Sequence, residues 1–275
     1  MKSKINLVFG ASGLVGQSIK KFAENKHNFV FSSKSEKQYI KFDLNKNLKE
    51  FPYKKVNKCF FLASPRIIKK NLSKDIFKQE YSWLKKIINT IKIEKLIYLS
   101  SSSIYYNDSH IVGLNKKRCE KLIIKNKKKF KYYQIWRPFN LIGNKYDRSD
   151  HFHNILFKKM FIEKKNFSIF YGNLNDTRGY SSVDDFADKI LKFSNKNKCF
   201  LKDYGNPDVI KLIEIVNLYN RYYFKFYNKL FKCKFLNKKI NSSKIKSNRN
   251  NVYSKHSSLY VLKNYLRNSI NVKKL

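Results

Sequence analysis

The chain is short of several things, and each shortage narrows what it can be. No apolar run reaches the roughly 18 residues that a bilayer crossing needs, so no membrane span and no membrane partner are expected. The four cysteines, Cys59, Cys119, Cys199 and Cys233, are scattered and form no C-x-x-C pair. That spacing argues against a disulfide frame and against a zinc site; it fits reduced, buried thiols in a cytoplasmic protein, and no metal is expected. Proline (4) and glycine (8) are scarce, so any local concentration of glycine stands out. Acidic residues are scarce too: 19 stand against 60 Lys and Arg, for a formal charge of +41.

A cationic surplus of that size invites a nucleic-acid reading, because lysine clusters attract phosphate. The lysines, however, are spread over nearly every predicted helix and form no single stripe. Lys, Asn, Ile, Phe and Tyr are over-used, as in an A/T-rich genome. We therefore expect no dedicated nucleic-acid partner, only a shallow preference for anionic ligands. At 275 residues the chain can bury a full α/β core with one attached lobe. Its opening residues run directly into a strand, so no signal peptide is expected.

Three of the 8 glycines fall in Gly10-Ala11-Ser12-Gly13-Leu14-Val15-Gly16. The apolar run Ile5 to Phe9 precedes them, and Leu14, Val15, Ile19 and Phe22 follow on one face of a 3.6-residue period. That is strand, glycine turn, helix. Gly10 would let the chain turn tightly, Gly13 would leave room for a pyrophosphate, and Gly16 would let the helix lie close to the sheet. The amides of the helix start would face the anion. An ordinary βα turn is the plainer alternative. Further short apolar runs read as strands at 28–32, 39–42, 58–64, 95–99, 132–136 and 167–170.

The G-x-x-G-x-x-G spacing resembles the extended short-chain dehydrogenases/reductases, which include the NAD-dependent epimerases and dehydratases of nucleotide sugars. The resemblance runs from residue 4 to about 216. It implies an α/β fold of Rossmann type: a doubly wound parallel sheet with a small C-terminal substrate lobe closing over the strands' C-terminal ends. On that reading residues 1–143 plus 166–195 form the NAD(P)-binding core, and 144–165 plus 196–275 form the lobe.

The same resemblance assigns roles along the chain. Gly10, Ser12, Gly13, Leu14, Val15 and Gly16 would cradle the dinucleotide. The second strand ends in Ser32-Ser33-Lys34, with no acid for an NAD ribose; Lys34 suits the 2′-phosphate of NADP, unless it is one more surface lysine. Asp43, followed by Leu44, would lie beside the adenine, or Asp43 simply ends a strand. Leu62 and Ala63 would border the cofactor, and Pro138 the nicotinamide. Ser101, in the run Ser100 to Tyr105, would hydrogen-bond the substrate's reacting oxygen. Asn140, in R-P-F-N-L-I-G, would bind substrate, and Arg178 would clamp its phosphate, because a guanidinium fork matches phosphate oxygens. Gly179 stands where the family has Asp.

The pattern breaks at the acid/base position. The family's Y-x-x-x-K, with Glu four residues on, aligns with Val112, Lys116 and Glu120. Lys116 would bind the nicotinamide ribose, but valine carries no proton, and losing a general acid/base typically costs ~10²–10⁴ in rate. Three explanations stay open: Tyr105 or Tyr106 supplies the phenol, substrate or water shuttles the proton, or the chain binds without turnover. The family's dimer would use the helix after Lys116; its Lys117, Arg118, Lys121 and Lys125 would weaken such a homodimer.

Other residues read as structural. His151 and His153 are expected at the surface, or as a polar lip, and do not share a metal. Asp184 or Asp185 caps the next helix. Val209 to Val216 reads as a helix, the pattern loosens from Tyr219, and 242–251 reads as a polar loop. The expected protein acts on a nucleotide sugar with NAD or NADP, leaning to NADP. The alternative is a catalytically impaired cofactor-binding protein that serves as sensor or partner.

Overall fold

The computed structural model describes residues 4–23, 28–34, 38–65, 74–106, 110–144, 147, 151–236 and 251–271, with backbone alone at 74–77. Most of the expected polar loop, 242–250, lies outside the described residues. The strands, in chain order, are β1 (Asn6–Phe9), β2 (Phe29–Ser33), β3 (Ile40–Lys41), β4 (Lys55–Phe61), β5 (Lys92–Leu99), β6 (Tyr132–Pro138) and β7 (Leu141–Ile142). They continue with β8 (Phe167–Tyr171), β9 (Thr177–Gly179), β10 (Ser181–Ser182), β11 (Phe200–Gly205), β12 (Val209–Lys211), β13 (Lys232–Leu236) and β14 (Val252–Tyr253). The helices are α1 (Leu14–Ala23), α2 (Lys74–Thr90), α3 (Ile111–Lys125), α4 (Phe152–Phe157), α5 (Val183–Ser194), α6 (Leu212–Tyr227) and α7 (Ser258–Asn271).

Two compact units emerge. The first takes Met1–Pro138, Asp184–Tyr204 and Asn250–Val252; the second takes Phe139–Val183, Gly205–Arg249 and Tyr253–Leu275. These segments change hands after 138, 183 and 204, where the sequence suggests 143, 165 and 195.

An eight-stranded sheet in the order β14-β11-β6-β5-β4-β1-β2-β3 organises the first unit. Every pair from β3 to β11 is parallel. The chain builds outward from β1 in one direction through β2 and β3, then returns to lay β4, β5 and β6 on its other side. The order reverses beside β1, and ligands of such sheets bind at the carboxyl ends of the strands at that point. Leu7, Phe60, Leu96, Tyr98 and Ile135 are fully buried, as continuous apolar strands covered on both faces should be. The apolar stripe of α2 (Leu84, Ile87, Ile88), with Ile91 just beyond its end, packs into that core. The eight-residue reading at 209–216 divides: Val209–Lys211 is a strand, and the helix starts at Leu212. Phe200–Gly205, unassigned from sequence, extends the large sheet beside β6.

The second unit holds, among the described residues, three two-stranded sheets: β10 with β7, β12 with β9, and β13 with β8. Thus the strand expected at 167–170 pairs outside the large sheet. Its core gathers Leu156, Phe157, Met160, Ile215, Tyr219, Leu262, Tyr265 and Leu266. The aromatic residues beyond Tyr219, where the pattern loosens, continue α6 to Tyr227, with Tyr219 and Tyr223 buried.

Candidate functional site

The turn after β1 is shaped around side chains that are not there. Gly10 has φ +83°, a left-handed conformation that favours glycine, and a Cβ on it would meet the Ala63 backbone nitrogen at 2.6 Å. A Cβ on Gly16 would meet the Gly10 carbonyl oxygen at 2.4 Å, so α1 lies close against the turn. Gly13 is exposed, and its amide closes the turn on the Gly10 carbonyl at 3.1 Å. The first amides of any helix lack intrahelical acceptors, and here they open beside that exposed glycine. Leu62 is buried and Ala63 half-buried against the turn.

The neighbouring strand end supplies hydroxyls. Ser33 Oγ donates to Ser12 Oγ at 3.0 Å, and the Ala11 amide donates to the Ser32 carbonyl at 3.2 Å. Lys34 and Asp43, assigned separately to ribose phosphate and adenine, pair with each other at 3.0 Å. Burial pulls the Asp43 carboxyl up, but the Asn45 amide and Lys34 outweigh it and hold it below its ordinary value. Leu44 is buried beside it.

The segment at the end of β5 is a polar cluster inside the protein. Lys116 Nζ lies 2.6 Å from Glu80 Oε1 and donates also to the Leu99 carbonyl at 2.9 Å. Glu80 is 1% exposed. Its carboxylate further accepts from Tyr98 Oη at 2.8 Å, Ser64 Oγ at 3.0 Å and Asn115 Nδ2 at 3.2 Å. Four side chains thus converge on one buried carboxylate, and the lysine's charge is neutralised within it. Glu80 is the residue that motif reading misses. The signal was available: Glu80 lies four before Leu84 and seven before Ile87, on the buried stripe of α2.

Glu120 serves a different partner. Arg137 Nε and Nη2 reach its two oxygens at 3.0 and 2.6 Å, and Ser100 Oγ donates to it at 2.5 Å. Tyr105 Oη donates to Asp203, 2.9 Å from each oxygen, and accepts from Arg137 Nη1 at 2.8 Å. Burial and then the Asp203 contact push the Tyr105 phenol up to about 12. A phenol so committed is a weak proton donor near neutrality. Tyr106 is half-buried, its ring edge-on to His110 at 4.7 Å. Ser101 caps the short turn Ser102–Tyr105, its oxygen accepting from the Ser103 amide at 3.1 Å.

Val112 opens α3 next to Gly113, and the helix packs tightly there: a Cβ on Gly113 would meet the Ser103 carbonyl oxygen at 2.2 Å. His110 caps this helix, Nδ1 accepting from the Gly113 amide at 3.2 Å, and burial lowers its pKa.

Within the second unit, Asn140 and the Arg178 segment are held together. Asn140 adopts φ 39° and donates from Nδ2 to the Gly179 carbonyl at 3.1 Å. The Ser181 amide returns a bond to the Asn140 carbonyl at 3.2 Å. Arg178 is half-buried and donates to the Thr177 carbonyl at 2.8 Å. Gly179, unlike the family's Asp, is required sterically: a Cβ would meet the Asn206 carbonyl oxygen at 2.4 Å. His153, expected at the surface, is 1% exposed; neither ring nitrogen has a hydrogen-bond partner among the described residues, and burial followed by His151 holds its pKa well below 6.5. His151 is exposed and stacks on it at 5.8 Å. Asp185 accepts from Tyr204 Oη at 2.7 Å within the first unit.

No protein-family model and no curated protein matches this sequence. Solved structures do match its fold. UDP-N-acetylglucosamine 4-epimerase from Bacillus cereus superposes with a TM-score of 0.73 at 17% identity, over 99% of this chain and 98% of that one. RMD from Pseudomonas aeruginosa, solved with NADPH, gives 0.71 at 12% identity, over 96% and 99%. MoeE5, solved with UDP-glucuronic acid and NAD, gives 0.70 at 16% identity, over 98% and 99%. At these identities the likeness speaks for the fold alone. No helix among the described residues is long and apolar enough to cross a membrane.

Proposed function

We propose that this chain, on the fold of the extended short-chain dehydrogenases/reductases, binds NAD or NADP and acts on a nucleotide-activated sugar by epimerisation, dehydration or keto reduction. The supporting observation is the turn after β1, where Gly10 and Gly16 leave no room for a Cβ and Gly13 is bare to solvent. Such a cradle fits a pyrophosphate against backbone amides. In this reading Ser12, Gly13, Leu14 and Val15 hold the phosphates, Lys34 the adenosine ribose phosphate, and Asp43 with Leu44 the adenine. Leu62, Ala63 and Pro138 border the nicotinamide, which when bound supplies a centre that accepts and returns a hydride. Ser101 donates to the substrate's reacting oxygen, Asn140 and Arg178 orient its phosphates, and Tyr106 takes the proton role that Val112 cannot.

Titration calorimetry with each oxidised and reduced dinucleotide tests the binding half; heat and a thermal shift with one of them are expected. Silence with all of them would remove the reading. Turnover of nucleotide sugars should fall in Tyr106→Phe, and undiminished turnover would acquit Tyr106.

A second reading rests on Glu80. With Lys116 neutralised by a buried carboxylate and Val112 at the proton position, the chain would hold cofactor without chemistry and act as a sensor or assembly partner. Sustained cofactor-dependent conversion of any nucleotide sugar would exclude it.

A further inference from the structure

The ribbon of β8 and β13 in the second unit has two unlike faces. The pairing is parallel, with Phe167 beside Lys232, Ile169 beside Lys234, and Tyr171 beside Leu236. Alternation along a strand sends these six side chains to one face. All six are exposed: Phe167 51%, Ile169 51%, Tyr171 64% and Leu236 37%, with both lysines exposed as well. The other face is anchored. Phe170 is buried and packs on Phe235 at 5.6 Å and Phe231 at 6.4 Å, and Phe152 packs on both Phe170 and Phe235. The outward set is therefore a fixed feature of the ribbon, held by the core beneath it.

Four large apolar side chains exposed in one group, flanked by lysines, have the make-up of an interaction surface. We propose that this ribbon face docks the protein on the surface of an anionic phospholipid bilayer. Charge decides among occupants. Neither strand contains an acidic residue, so a second copy of this face would set Lys232 and Lys234 against their own like charges. A bilayer offers both complements at once. Phe167, Ile169 and Leu236 would enter the boundary between headgroups and acyl chains, Tyr171 would sit at headgroup level, and the lysine stems would cover apolar surface while their ammonium groups meet phosphate. The chain's +41 charge supplies long-range attraction to the same surface. This inference goes beyond the proposed function and does not depend on it; it keeps the absence of a membrane span but departs from the expectation of no membrane partner, because it concerns lying on a membrane, not crossing one.

The test is co-sedimentation of the full chain with phosphatidylcholine vesicles, with and without roughly a third phosphatidylglycerol. Binding to the anionic vesicles alone is expected. The triple variant Phe167→Ser/Ile169→Ser/Tyr171→Ser and the pair Lys232→Glu/Lys234→Glu should each weaken it by roughly tenfold or more. A pair of equal charge change in the first unit, Lys127→Glu/Lys128→Glu, should weaken it far less. The proposal is overturned by absence of vesicle binding, by a triple variant that binds like the wild type, or by equal loss in the first-unit pair, which would assign the effect to diffuse charge. Light scattering that shows a dimer dissolved by the triple variant would also overturn it and make the face a self-interface.

Discussion

The turn after β1 and the start of α3 both match a family spacing, yet they are built in opposite ways. At the turn, space is kept by missing side chains: Gly10 sits at φ +83° and neither it nor Gly16 could take a Cβ. At α3, space is filled: Lys116 is drawn inward to Glu80 at 2.6 Å, and Val112 holds the position that the family resemblance gives to a phenol. The first arrangement keeps backbone bare, and the second satisfies itself. A spacing locates a residue along the chain, but what its charge faces is decided by a partner from another helix.

The largest effect should come from the self-satisfied region. Glu80→Ala leaves the Lys116 ammonium buried and unpaired, and strands Tyr98, Ser64 and Asn115, so a loss of roughly 3–5 kcal/mol is expected in denaturant melts. Glu80→Gln keeps the shape and should cost less. A neutral Glu80→Ala would mean that Lys116 finds solvent or another partner, and the contrast between the two regions would collapse.

The turn should respond nearly as strongly, for a different reason. Gly10→Ala places a methyl 2.6 Å from the Ala63 nitrogen in a left-handed backbone conformation. Strain and overlap together should cost about 3 kcal/mol and abolish dinucleotide binding in calorimetry. Stability held with binding lost would sharpen the comparison, because the turn would then serve the ligand alone.

How far these regions could be read from sequence differs in the same way. The glycine turn is legible because glycine is scarce here and backbone room is a property of the residue itself. The parallel sheet is legible from apolar runs such as Lys58 to Leu62. Glu80 is harder, because its meaning depends on Lys116, thirty-six positions away and on another helix. His153 reads as surface because a histidine beside His151 carries no local sign of burial; the second unit's packing put it inside. Phe200–Gly205 is missed because its alternation is weak, and pairing with β6 made it a strand. Gly179 departs from the family's Asp for a reason held entirely by Asn206.

A smaller effect is expected at the cap of α3. His110 accepts the Gly113 amide through Nδ1, so the neutral ring is the useful form, and burial lowers its pKa below 6.5. The unfolded chain therefore takes up the proton first as pH falls. The cap's stabilisation is present above pH 6.5 and is lost as pH drops through the depressed folded value. Protonation also sets a cation at a helix N-terminus, which the dipole disfavours. The loss should be about 1 kcal/mol, and His110→Asn should retain the cap while flattening that part of the pH profile in thermal melts. An unchanged profile in His110→Asn would shift the effect to other groups.

The smallest effect on stability, and the finest probe of the proposed ligand site, is Lys34→Ala. Its side chain is 70% exposed, so the pair with Asp43 at 3.0 Å should contribute no more than about 0.5 kcal/mol. Its effect on ligand choice should be greater. On the proposed reading Lys34 cannot neutralise Asp43 and a ribose phosphate equally, so NADP would draw the ammonium away from the carboxylate, whereas NAD would leave the pair intact. Removing the lysine should therefore lower the NADP-to-NAD affinity ratio by roughly three- to tenfold in paired titrations, with NAD affinity little changed. If the ratio holds, Lys34 stays with Asp43 throughout, and the serine hydroxyls of Ser12 and Ser33 become the groups that meet the ribose.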